Sequence, residues 1–577
     1  MKDKRQIALE NLSEEMMEAS KATVTTLTTE CWRSPEPLPF HRRLEGEHLS
    51  LQPGDSWGKL FDCAWFRFRG RVQQTDLNRE LFADLDFNGE GLVVDAQGRA
   101  VRGLTTVRSV FSRSLGEPGK TLTPVTPDAD GTVEIWVEAG ANDLFGKLQD
   151  NGCLRVARII RRDTPMAELA HDVRMLAGLR NVLPRDGALW RKVDALLDPL
   201  LCGSPRAALQ AASRESWRRE VEAVFGGGFS ASQSALRVTA VSHSHLDLAW
   251  LWPVRETIRK GIRTCATVLF EMERGPALIF ANSQAQLHAW IEEHEPDVHA
   301  RIVERVREGR WEPLGSMWVE PDTNLPSGES LIRQALHGRA YWWRAFGVRV
   351  RGCWLPDTFG YNGNLPQILD GLGEPWLITQ KLSWNTHNKF PYHSFRWTGI
   401  DGSTIPVHLL PEDTYNGAAT PFALAKIERQ STESHIAPEA LMCYGIGDGG
   451  GGPGEHHLAA LRRMAGLPGL PPVRSGRVAD FVADWLPHTA NLPAYRGELY
   501  LEKHQGCFTT RSRIKAWNRR LEEALRRVEI LSARAAIVHG VPYPSAALDR
   551  LWKVLLLVQF HDILPGTSIP RVYEEAE

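Results

Sequence analysis

The central part of the chain, from about residue 236 to 480, alternates short apolar segments with helical ones, and this pattern constrains the fold most. The candidate strands are 236–242, 277–282, 311–318, 350–355, 376–380, 404–410 and 441–445. Helical segments such as 296–308 and 328–345 separate them. Strands that alternate with helices predict a parallel sheet or barrel. The sequence therefore predicts a central, barrel-like α/β catalytic domain over 233–497.

Polar side chains follow all seven candidate strands. They are His245 and Asp247, Ser283 and Gln284, Glu320 and Asp322, Asp357, Gln380 and Lys381, Glu412 and Asp413, and Asp448. The chemistry of parallel α/β folds gathers at the carboxyl ends of the strands. Solubility does not explain seven polar strand ends in succession, because buried charges need partners. The pattern predicts a functional site at this edge of the domain.

The first of these strand ends carries the residue types that bind a divalent metal. His243, His245 and Asp247 are spaced two apart, so on an extended backbone they share one face. Imidazole and carboxylate groups together suit a metal such as zinc. A metal needs more ligands than this stretch supplies. His561 and Asp562 lie at the end of an apolar helical segment, where a histidine and an aspartate indicate a specific role.

Outside the central region the hydrophobic periodicity changes along the chain. Residues 1–30 have the pattern of an N-terminal helical segment that becomes irregular towards its end. Residues 31–160 show the period-two alternation of an antiparallel β-sandwich, for example Val133, Ile135 and Val137. Residues 161–232 have helical spacing and a glycine-rich end, which predicts a helical linker region. The expected architecture is therefore multidomain.

The last segment, 498–577, has the pattern of a C-terminal helical bundle. Residues at three-and-four spacing predict one bundle helix; they are Ile514, Trp517, Leu521, Leu525, Val528 and Leu531. A second helix begins near Pro544 and is apolar nearly all round between 551 and 558, which predicts that it is buried.

Composition and charge exclude several classes of partner. The formal net charge is −2 and the isoelectric point is near 6.8, so we expect neither nucleic acid nor an anionic membrane as partner. No apolar run is long enough to span a bilayer. The eight cysteines form no C-x-x-C pair, which fits reduced thiols and a cytoplasmic location.

Three motifs carry a resemblance to a known family. They are His243-Ser-His245-Leu-Asp247-Leu-Ala-Trp250, Trp354-Leu-Pro-Asp357-Thr-Phe359-Gly360-Tyr361 and Phe560-His561-Asp562-Ile-Leu-Pro-Gly566-Thr567. With these motifs in this order, residues 240–577 resemble the retaining α-mannosidases of glycoside hydrolase family 38. The likeness is greatest to the cytosolic and vacuolar branch and its bacterial relatives. The segment 31–160 resembles, more weakly, the domain that precedes catalysis in this branch.

The resemblance implies one divalent ion per chain and a covalent mechanism. By the family pattern His245, Asp247, Asp357 and His561 are the metal ligands, and this donor set suits Zn²⁺, Co²⁺ or Mn²⁺. Asp357 corresponds to the nucleophile. A retaining glycosidase also needs a second carboxyl group, roughly 5–5.5 Å away, to protonate the leaving oxygen.

The identity of that acid stays open at this stage. Asp448, in a glycine-rich loop after the last strand, is the first candidate for the acid/base, and the other strand-end carboxylates remain alternatives: Glu412, Asp413, Glu320 and Asp322.

The resemblance also implies contacts to an α-mannoside substrate. The candidate substrate-binding residues are Trp250, Phe359, Lys381, Asp562, Glu320, Asp322 and His243. For His243 a substrate contact or a supporting role is favoured over metal ligation, and Asp562 has the alternative role of supporting His561.

Members of this family continue for several hundred residues beyond the third motif, into β-rich domains. Here 577 is the last residue, so the resemblance implies a C-terminally truncated or split product. The expected partners are the substrate and, in addition, a separately encoded C-terminal half or a second copy in a homo-oligomer.

Three functions compete. The leading one is hydrolysis of α-mannosides with retention. A metal-dependent deacetylase or amidohydrolase is the second, since His243-Ser-His245 after a strand also fits such barrels. The third is a truncated, catalytically impaired remnant that binds metal and sugar.

Overall fold

The N-terminal helix is followed by strands rather than by the irregular chain that the sequence pattern predicts. The computed structural model describes residues 4–77, 79–106, 119–142, 152–201, 207, 215–226, 234–275, 277–447 and 451–577. Helix α1 spans Lys4–Ala19, and strand β1 begins directly afterwards at Lys21. The predicted helical segment 1–30 is therefore helical only in its first part. The run of threonine and valine from Thr23 to Thr29 favours strands, because β-branched side chains fit a pleated surface.

An antiparallel β domain follows α1. Its strands are β1 (Lys21–Thr26), β2 (Thr28–Ser34), β3 (Glu47–Leu51), β4 (Ser56–Gly58), β5 (Cys63–Arg71), β6 (Leu81–Asp86), β7 (Glu90–Val94), β8 (Ala100–Thr105), β9 (Leu122–Val125), β10 (Thr132–Gly140), β11 (Gly152–Cys153) and β12 (Val156–Arg162). The two main sheets have the orders β1-β12-β6-β9 and β3-β2-β5-β10-β7-β8. Every pairing in them is antiparallel, which confirms the predicted N-terminal sheet domain. Its core contains Trp57, Phe66, Phe68 and Phe87.

Where the structure describes the segment between this domain and the central one, it contains three helices. They are α2 (Thr164–Val182), α3 (Ala188–Leu197) and α4 (Glu215–Phe225). Helix α2 begins where Asp163 accepts a hydrogen bond from the backbone N–H of Met166 at 3.1 Å, an N-cap that satisfies one free donor.

The central domain contains the predicted alternation of strands and helices. Its strands are β13 (Arg237–His243), β14 (Phe280–Ser283), β15 (Trp311–Leu314), β16 (Cys353–Trp354), β17 (Leu377–Thr379), β18 (Ser394–Thr398), β19 (Thr404–Leu409), β20 (Glu439–Tyr444), β21 (Val473–Ser475) and β22 (Ala494–Arg496). Its helices are α5 (Val254–Arg274), α6 (Ala285–His294), α7 (Pro296–Arg307), α8 (Gly328–Phe346), α9 (Leu365–Gly371), α10 (Pro421–Gln430), α11 (Glu455–Met464) and α12 (Val478–Trp485). Each of the seven candidate strands overlaps an observed strand.

The strands of this domain form two sheets in the described part of the chain. The first has the order β15-β14-β13-β20, with β21 beside β13, and is parallel throughout. The second has the order β16-β17-β19-β18-β22; β18 runs antiparallel to β19 and its other pairings are parallel. The predicted parallel α/β sheet is confirmed, whereas closure into a barrel is not.

The C-terminal region is helical, as predicted, but it is less buried than its sequence suggests. It consists of α13 (Ser512–His539), α14 (Ser545–Val558) and α15 (Pro570–Ala576). Of the six residues of the predicted bundle stripe, only Ile514 and Leu525 are buried; the exposed ones are Trp517, Leu521, Val528 and Leu531. In α14, Leu551 and Val554 are exposed as well, so the expectation of a fully buried helix is wrong.

A buried charge network joins the N-terminal sheets to the central domain. On α5, Lys260 pairs with Glu90 at 2.6 Å, and Arg263 pairs with both Glu90 at 3.2 Å and Glu138 at 2.9 Å. These ion pairs fix the position of α5 against the N-terminal sheets, because breaking one of them would leave an uncompensated buried charge. Across the described residues, no helix combines the length and apolarity needed to cross a membrane.

Candidate metal centre and active site

Two histidines and two aspartates come together in a buried cluster at the carboxyl ends of the parallel strands. They are His245, Asp247, Asp357 and His561, and each offers one ligand atom within 4.8 Å of the others. Oδ1 of Asp247 lies 3.0 Å from Nε2 of His245 and 3.2 Å from Nε2 of His561. Oδ2 of Asp357 lies 3.8 Å from Nε2 of His561. The four side chains are therefore spaced as ligands of one small ion.

The fold explains why residues so far apart in sequence meet here. His245 and Asp247 follow β13, which lies inside the first sheet, and Asp357 follows β16 at the end of the second. His561 comes just after α14, and Phe560 forms an isolated bridge with Pro321. The C-terminal helical region thus delivers one histidine to a site that the α/β domain builds.

Glu320 supports both imidazole rings of the cluster. Its Oε2 lies 3.0 Å from Nδ1 of His245, and its backbone carbonyl accepts from Nδ1–H of His561 at 2.8 Å. The hydroxyl of Ser283 donates to Oε1 of Glu320 at 2.6 Å. Because Nδ1 of each ring contacts Glu320, Nε2 of each ring points to the centre of the cluster. Carboxylate–histidine–metal sites have this arrangement.

The electrostatics of the cluster fit a cation. Burial opposes the charged form of His245, but Glu320 and Asp247 outweigh it and hold the pKa of His245 well above its usual value. Burial likewise opposes ionisation of Asp247, yet His245 and His561 lower its pKa. Two imidazoles with two carboxylates form a borderline donor set suited to zinc and related divalent ions. The residues present therefore fit a divalent metal.

Asp562 adds a further carboxyl group beside the cluster. Its Oδ2 lies 3.8 Å from Nε2 of His561, and its Oδ1 accepts from the hydroxyl of Thr567. Burial, reinforced by the nearby charge of Asp247, raises the pKa of Asp562 well above its ordinary value. A buried carboxyl group of this kind suits hydrogen bonding to a polar ligand.

Asp357, a member of the cluster, also contacts a buried cation. The ammonium group of Lys381 donates to Oδ1 of Asp357, while Oδ2 faces His561. Lys381 also lies over two rings, 3.6 Å from the centroid of Trp384 and 5.1 Å from that of Phe359. The ring of Phe359 in turn packs edge-on against His561 at 5.5 Å. Asp357 is thus a carboxylate with a fixed orientation.

Three other residues predicted from the sequence, His243, Trp250 and Asp322, are not among the four residues of the cluster. His243 is fully buried outside the four-residue cluster and packs against Trp354 at 5.2 Å; burial lowers its pKa to about 3. Trp250 is half-buried and contacts Trp252 at 5.9 Å. The carboxylate of Asp322 accepts from the backbone N–H of Leu325 at 2.8 Å and so closes its own turn.

Two of the remaining candidate acids, Glu412 and Asp413, are not in the metal cluster. Glu412 and Asp413 line a cavity of about 620 Å³ together with residues of α1 and α2. Asp448 lies outside the described residues. Its neighbour Gly447 is described and lies so close to His245 that a Cβ at Gly447 would be 2.7 Å from the carbonyl oxygen of His245.

Two aromatic residues at the site have no signal in the sequence pattern. The ring of Tyr415 lies 4.7 Å from that of His245, and the ring of His504 lies 4.3 Å from that of Phe359. Tyr415 is in a loop after β19, and His504 precedes α13. Neither follows a strand directly, so only the tertiary structure identifies them.

The fold and the cluster define the class of the protein: a parallel α/β protein with a candidate divalent-metal centre at the carboxyl ends of its strands. Three family models match the chain in order: "Alpha-mannosidase, jelly roll domain" at residues 24–160, "Glycosyl hydrolases family 38 N-terminal domain" at 235–498 and "Alpha mannosidase middle domain" at 502–577. The chain belongs to glycoside hydrolase family 38.

Curated relatives agree with this assignment. The chain is 35% identical over 568 residues to alpha-mannosidase 2C1 of Homo sapiens, covering 94% of this chain and 52% of the relative. It is 33% identical over 551 residues to an alpha-mannosidase of Saccharomyces cerevisiae, covering 90% of this chain and 50% of the relative. The chain thus spans about half the length of these relatives.

A solved structure shows the same fold at greater distance. An alpha-mannosidase from Enterococcus faecalis superposes with a TM-score of 0.51 at 23% sequence identity, over 59% of this chain and 40% of that chain.

Proposed function

We propose that this protein hydrolyses terminal α-D-mannosidic bonds with retention of configuration, through a glycosyl-enzyme intermediate on Asp357. The observation that carries the proposal is the position of Asp357, which faces Lys381 with one oxygen and the histidine–aspartate cluster with the other. A nucleophilic carboxylate must be oriented, and these neighbours hold Asp357 in one orientation.

In this proposal Asp357 attacks the anomeric carbon as the glycosidic bond breaks, and a carboxylic acid gives its proton to the leaving oxygen. Water then displaces Asp357 from the sugar, with the same acid group acting as base. Lys381 holds Asp357 in position for the first step. When bound by His245, Asp247, Asp357 and His561, a divalent ion would supply Lewis-acid contacts to the vicinal O2 and O3 hydroxyls of mannose.

Asp448 is the acid/base that we propose. The support is indirect: Gly447, its neighbour, lies against the backbone of His245, so the chain enters this loop beside the cluster. The alternatives are less well supported, because Glu412 and Asp413 line a separate cavity, Asp322 closes its own turn, and Glu320 faces His245.

For the sugar contacts we propose Phe359, Lys381 and Asp562 at the metal centre, with Trp250 and His243 farther out. Phe359 offers an apolar ring beside the cluster, and Asp562 offers a carboxyl group to sugar hydroxyls. Glu320 and Asp322 engage protein groups, so we assign them supporting roles.

The test is turnover of an aryl α-mannoside by the purified 577-residue chain supplied with Zn²⁺ or Co²⁺. The proposal expects product release that is lost in the Asp357→Ala variant, and an initial α-configured transfer product when methanol competes with water. Asp549→Ala, which removes an exposed carboxylate on α14, is the matched control and should keep full activity.

Other outcomes favour the competing functions. Acetate release from acetylated sugars, without mannoside cleavage, would favour a deacetylase. Absence of turnover, with zinc binding that depends on His245 and His561, would favour a metal- and sugar-binding remnant.

We also propose a cytoplasmic location. Within the described residues seven cysteines are free and five of them are buried, which fits a reducing compartment. The mannoside is the proposed small-molecule partner.

A further inference from the structure

The cavity of about 620 Å³ lies between the N-terminal helix and the central domain, apart from the metal cluster. Its walls come from α1, α2, the loop between β19 and α10, the first part of α10, and α11. Small-molecule sites in proteins usually measure roughly 300–1,000 Å³, so the cavity has the size of a ligand site. None of the four cluster residues lines it.

One loop, residues 410–420 between β19 and α10, contacts both the cavity and the metal centre. Glu412 and Asp413 are strand-end carboxylates that the proposed reaction does not use, and both line the cavity from this loop. Farther along the loop, the ring of Tyr415 lies 4.7 Å from that of His245. The cavity is therefore close to the metal centre but has a lining of its own.

The basic groups of the lining are engaged by the protein itself. Lys426 pairs with Asp413 at 3.0 Å and donates to the backbone carbonyl of Glu412 at 2.5 Å. Nη1 of Arg174 lies 3.3 Å from Nδ1 of His456. The described lining contains more acidic than basic side chains: Glu10, Glu14, Glu412 and Asp413 against Arg174 and Lys426. This balance disfavours an anionic ligand such as phosphate, because like charges repel.

Two titratable groups of the lining are held in their neutral forms. Burial raises the pKa of Glu412 to about 8, and Oε2 of its carboxyl group is buried with no hydrogen-bond partner among the described residues. Burial lowers the pKa of His171, which is buried and lies 3.3 Å from Glu455. At neutral pH Glu412 is therefore a carboxylic acid that can donate a hydrogen bond, and His171 is a neutral imidazole. Such groups suit uncharged hydroxyls better than a cation.

The rest of the lining combines apolar surface with further neutral polar groups. Met175 and Ala419 supply apolar contacts, and Asn181 and Thr414 supply an amide and a hydroxyl. Phe422 lines the cavity and is 56% exposed, so its ring lies where the cavity opens to solvent. A pyranose presents an apolar ring face and a rim of hydroxyls. It therefore matches an aromatic ring that lies beside neutral hydrogen-bonding groups.

We propose that this cavity is a binding site for a small neutral saccharide, in which Glu412 hydrogen-bonds a sugar hydroxyl and Phe422 stacks on the apolar face of a pyranose. The volume of the cavity accommodates a mono- or disaccharide. The proposal does not depend on the enzymatic function, because no residue of the proposed reaction lines the cavity.

The experiment titrates the 577-residue chain with four probes in isothermal titration calorimetry. D-Mannose and maltose are the neutral saccharides, spermidine is the cation, and inorganic phosphate is the anion. We expect at least one of the two saccharides to bind, and we expect neither spermidine nor phosphate to compete with it.

Variants locate the saccharide in the cavity. Glu412→Leu and Phe422→Ala should each weaken its binding about tenfold, because each removes one of the two main contacts. Glu412→Gln should keep the affinity of the unmodified chain, since an amide also donates and accepts hydrogen bonds. Trp343→Ala is the matched control for Phe422→Ala, because Trp343 is 55% exposed on α8 and does not line the cavity.

Phe422 is exposed, so Phe422→Ala keeps the test decisive even if Glu412→Leu does not fold, and circular dichroism checks each variant. Three results would overturn the proposal. The first is that neither saccharide binds the unmodified chain. The second is saccharide binding that Phe422→Ala leaves unchanged, which would place the sugar elsewhere. The third is spermidine binding that Glu412→Gln abolishes, because Glu412 would then be ionised and the occupant a cation.

Discussion

Oε2 of Glu320 lies 3.0 Å from Nδ1 of His245, and the same residue accepts from His561 through its backbone carbonyl. One residue in the loop that follows β15 therefore orients both histidines of the cluster. The two rings stack at a centroid distance of 5.5 Å with an angle of 19° between their planes. The C-terminal helical region is thus tied to the α/β domain through the metal site itself.

Replacing Glu320 by glutamine should weaken metal binding without removing a ligand. The amide keeps the size of the side chain but loses the charge that faces His245. Loss of such a supporting partner typically costs about 10–100-fold in metal affinity. The measurement is competition for Zn²⁺ against a chromophoric chelator. Glu292→Gln changes a carboxylate in a distant ion pair with Arg344 and should leave the affinity unchanged; equal effects of both variants would contradict the assignment.

Replacing Lys381 by methionine should reduce kcat far more than it raises KM. The substitution leaves Asp357 without its ammonium donor, and a hydrogen bond to a charged group is worth about 1.5–3 kcal/mol, or roughly 10–100-fold in rate. Lys503→Met is the matched control, because Lys503 also lies over the ring of Trp384, at 4.8 Å, but is exposed. A rise in KM alone would show that Lys381 only binds substrate.

Much of the α/β domain could be predicted because its signals are local. Apolar runs of strand length bounded by turns mark β13, β14, β15 and β20, and parallel strands bring their carboxyl ends to one edge. His245, Asp247 and Asp357 follow strands directly, so their meeting was foreseeable in outline. His561 needed the family motif, because no local pattern links the end of α14 to a strand end.

Other features depend on tertiary contacts that no local pattern encodes. The three-and-four spacing in α13 predicts an apolar stripe, but not whether a partner covers it, and Leu521 and Val528 are exposed. Likewise, seven polar strand ends predict one site, yet Glu412 and Asp413 face a separate cavity. Periodicity identifies which residues share a face; packing decides what that face meets.

The carboxyl group of Glu412, a half-buried residue with one buried carboxylate oxygen, should make the protein less stable as the pH rises. Burial away from water raises its pKa to about 8, against 4.5 for an ordinary glutamate. Between these pH values the unfolded chain releases a proton that the folded chain retains, so the free energy of unfolding falls. Glu412→Gln removes this penalty. We expect it to stabilise the protein by about 2 kcal/mol at pH 8, and not at pH 4.5, in urea unfolding.

Asp413, the next residue, should behave in the opposite way. Burial opposes its ionisation, but nearby His393 and the close contacts from Gln430 at 2.7 Å and Lys426 at 3.0 Å outweigh this and lower the pKa of Asp413 to about 2. Its contribution is present above pH 3.8 and is lost as the pH falls towards 2. Asp413→Asn should therefore destabilise the protein by about 1–2 kcal/mol at pH 7, with a smaller difference near pH 3. If the change in unfolding free energy caused by Glu412→Gln and by Asp413→Asn varied with pH in the same direction, both pKa assignments would be contradicted.

Gly447, which directly precedes Asp448, should not tolerate a larger residue. A Cβ there would lie 2.4 Å from Oδ1 of Asn416 and 3.0 Å from the backbone nitrogen of His245, so alanine must displace one of them. Overpacking of this kind costs about 1–3 kcal/mol. We expect Gly447→Ala to lower the midpoint of thermal unfolding by several degrees and to weaken Zn²⁺ binding, because His245 moves with its backbone. Gly371→Ala, where a Cβ would meet nothing within 4 Å, is the matched control. Unchanged zinc affinity in Gly447→Ala would show that Asn416 moves instead and that the cluster tolerates the shift.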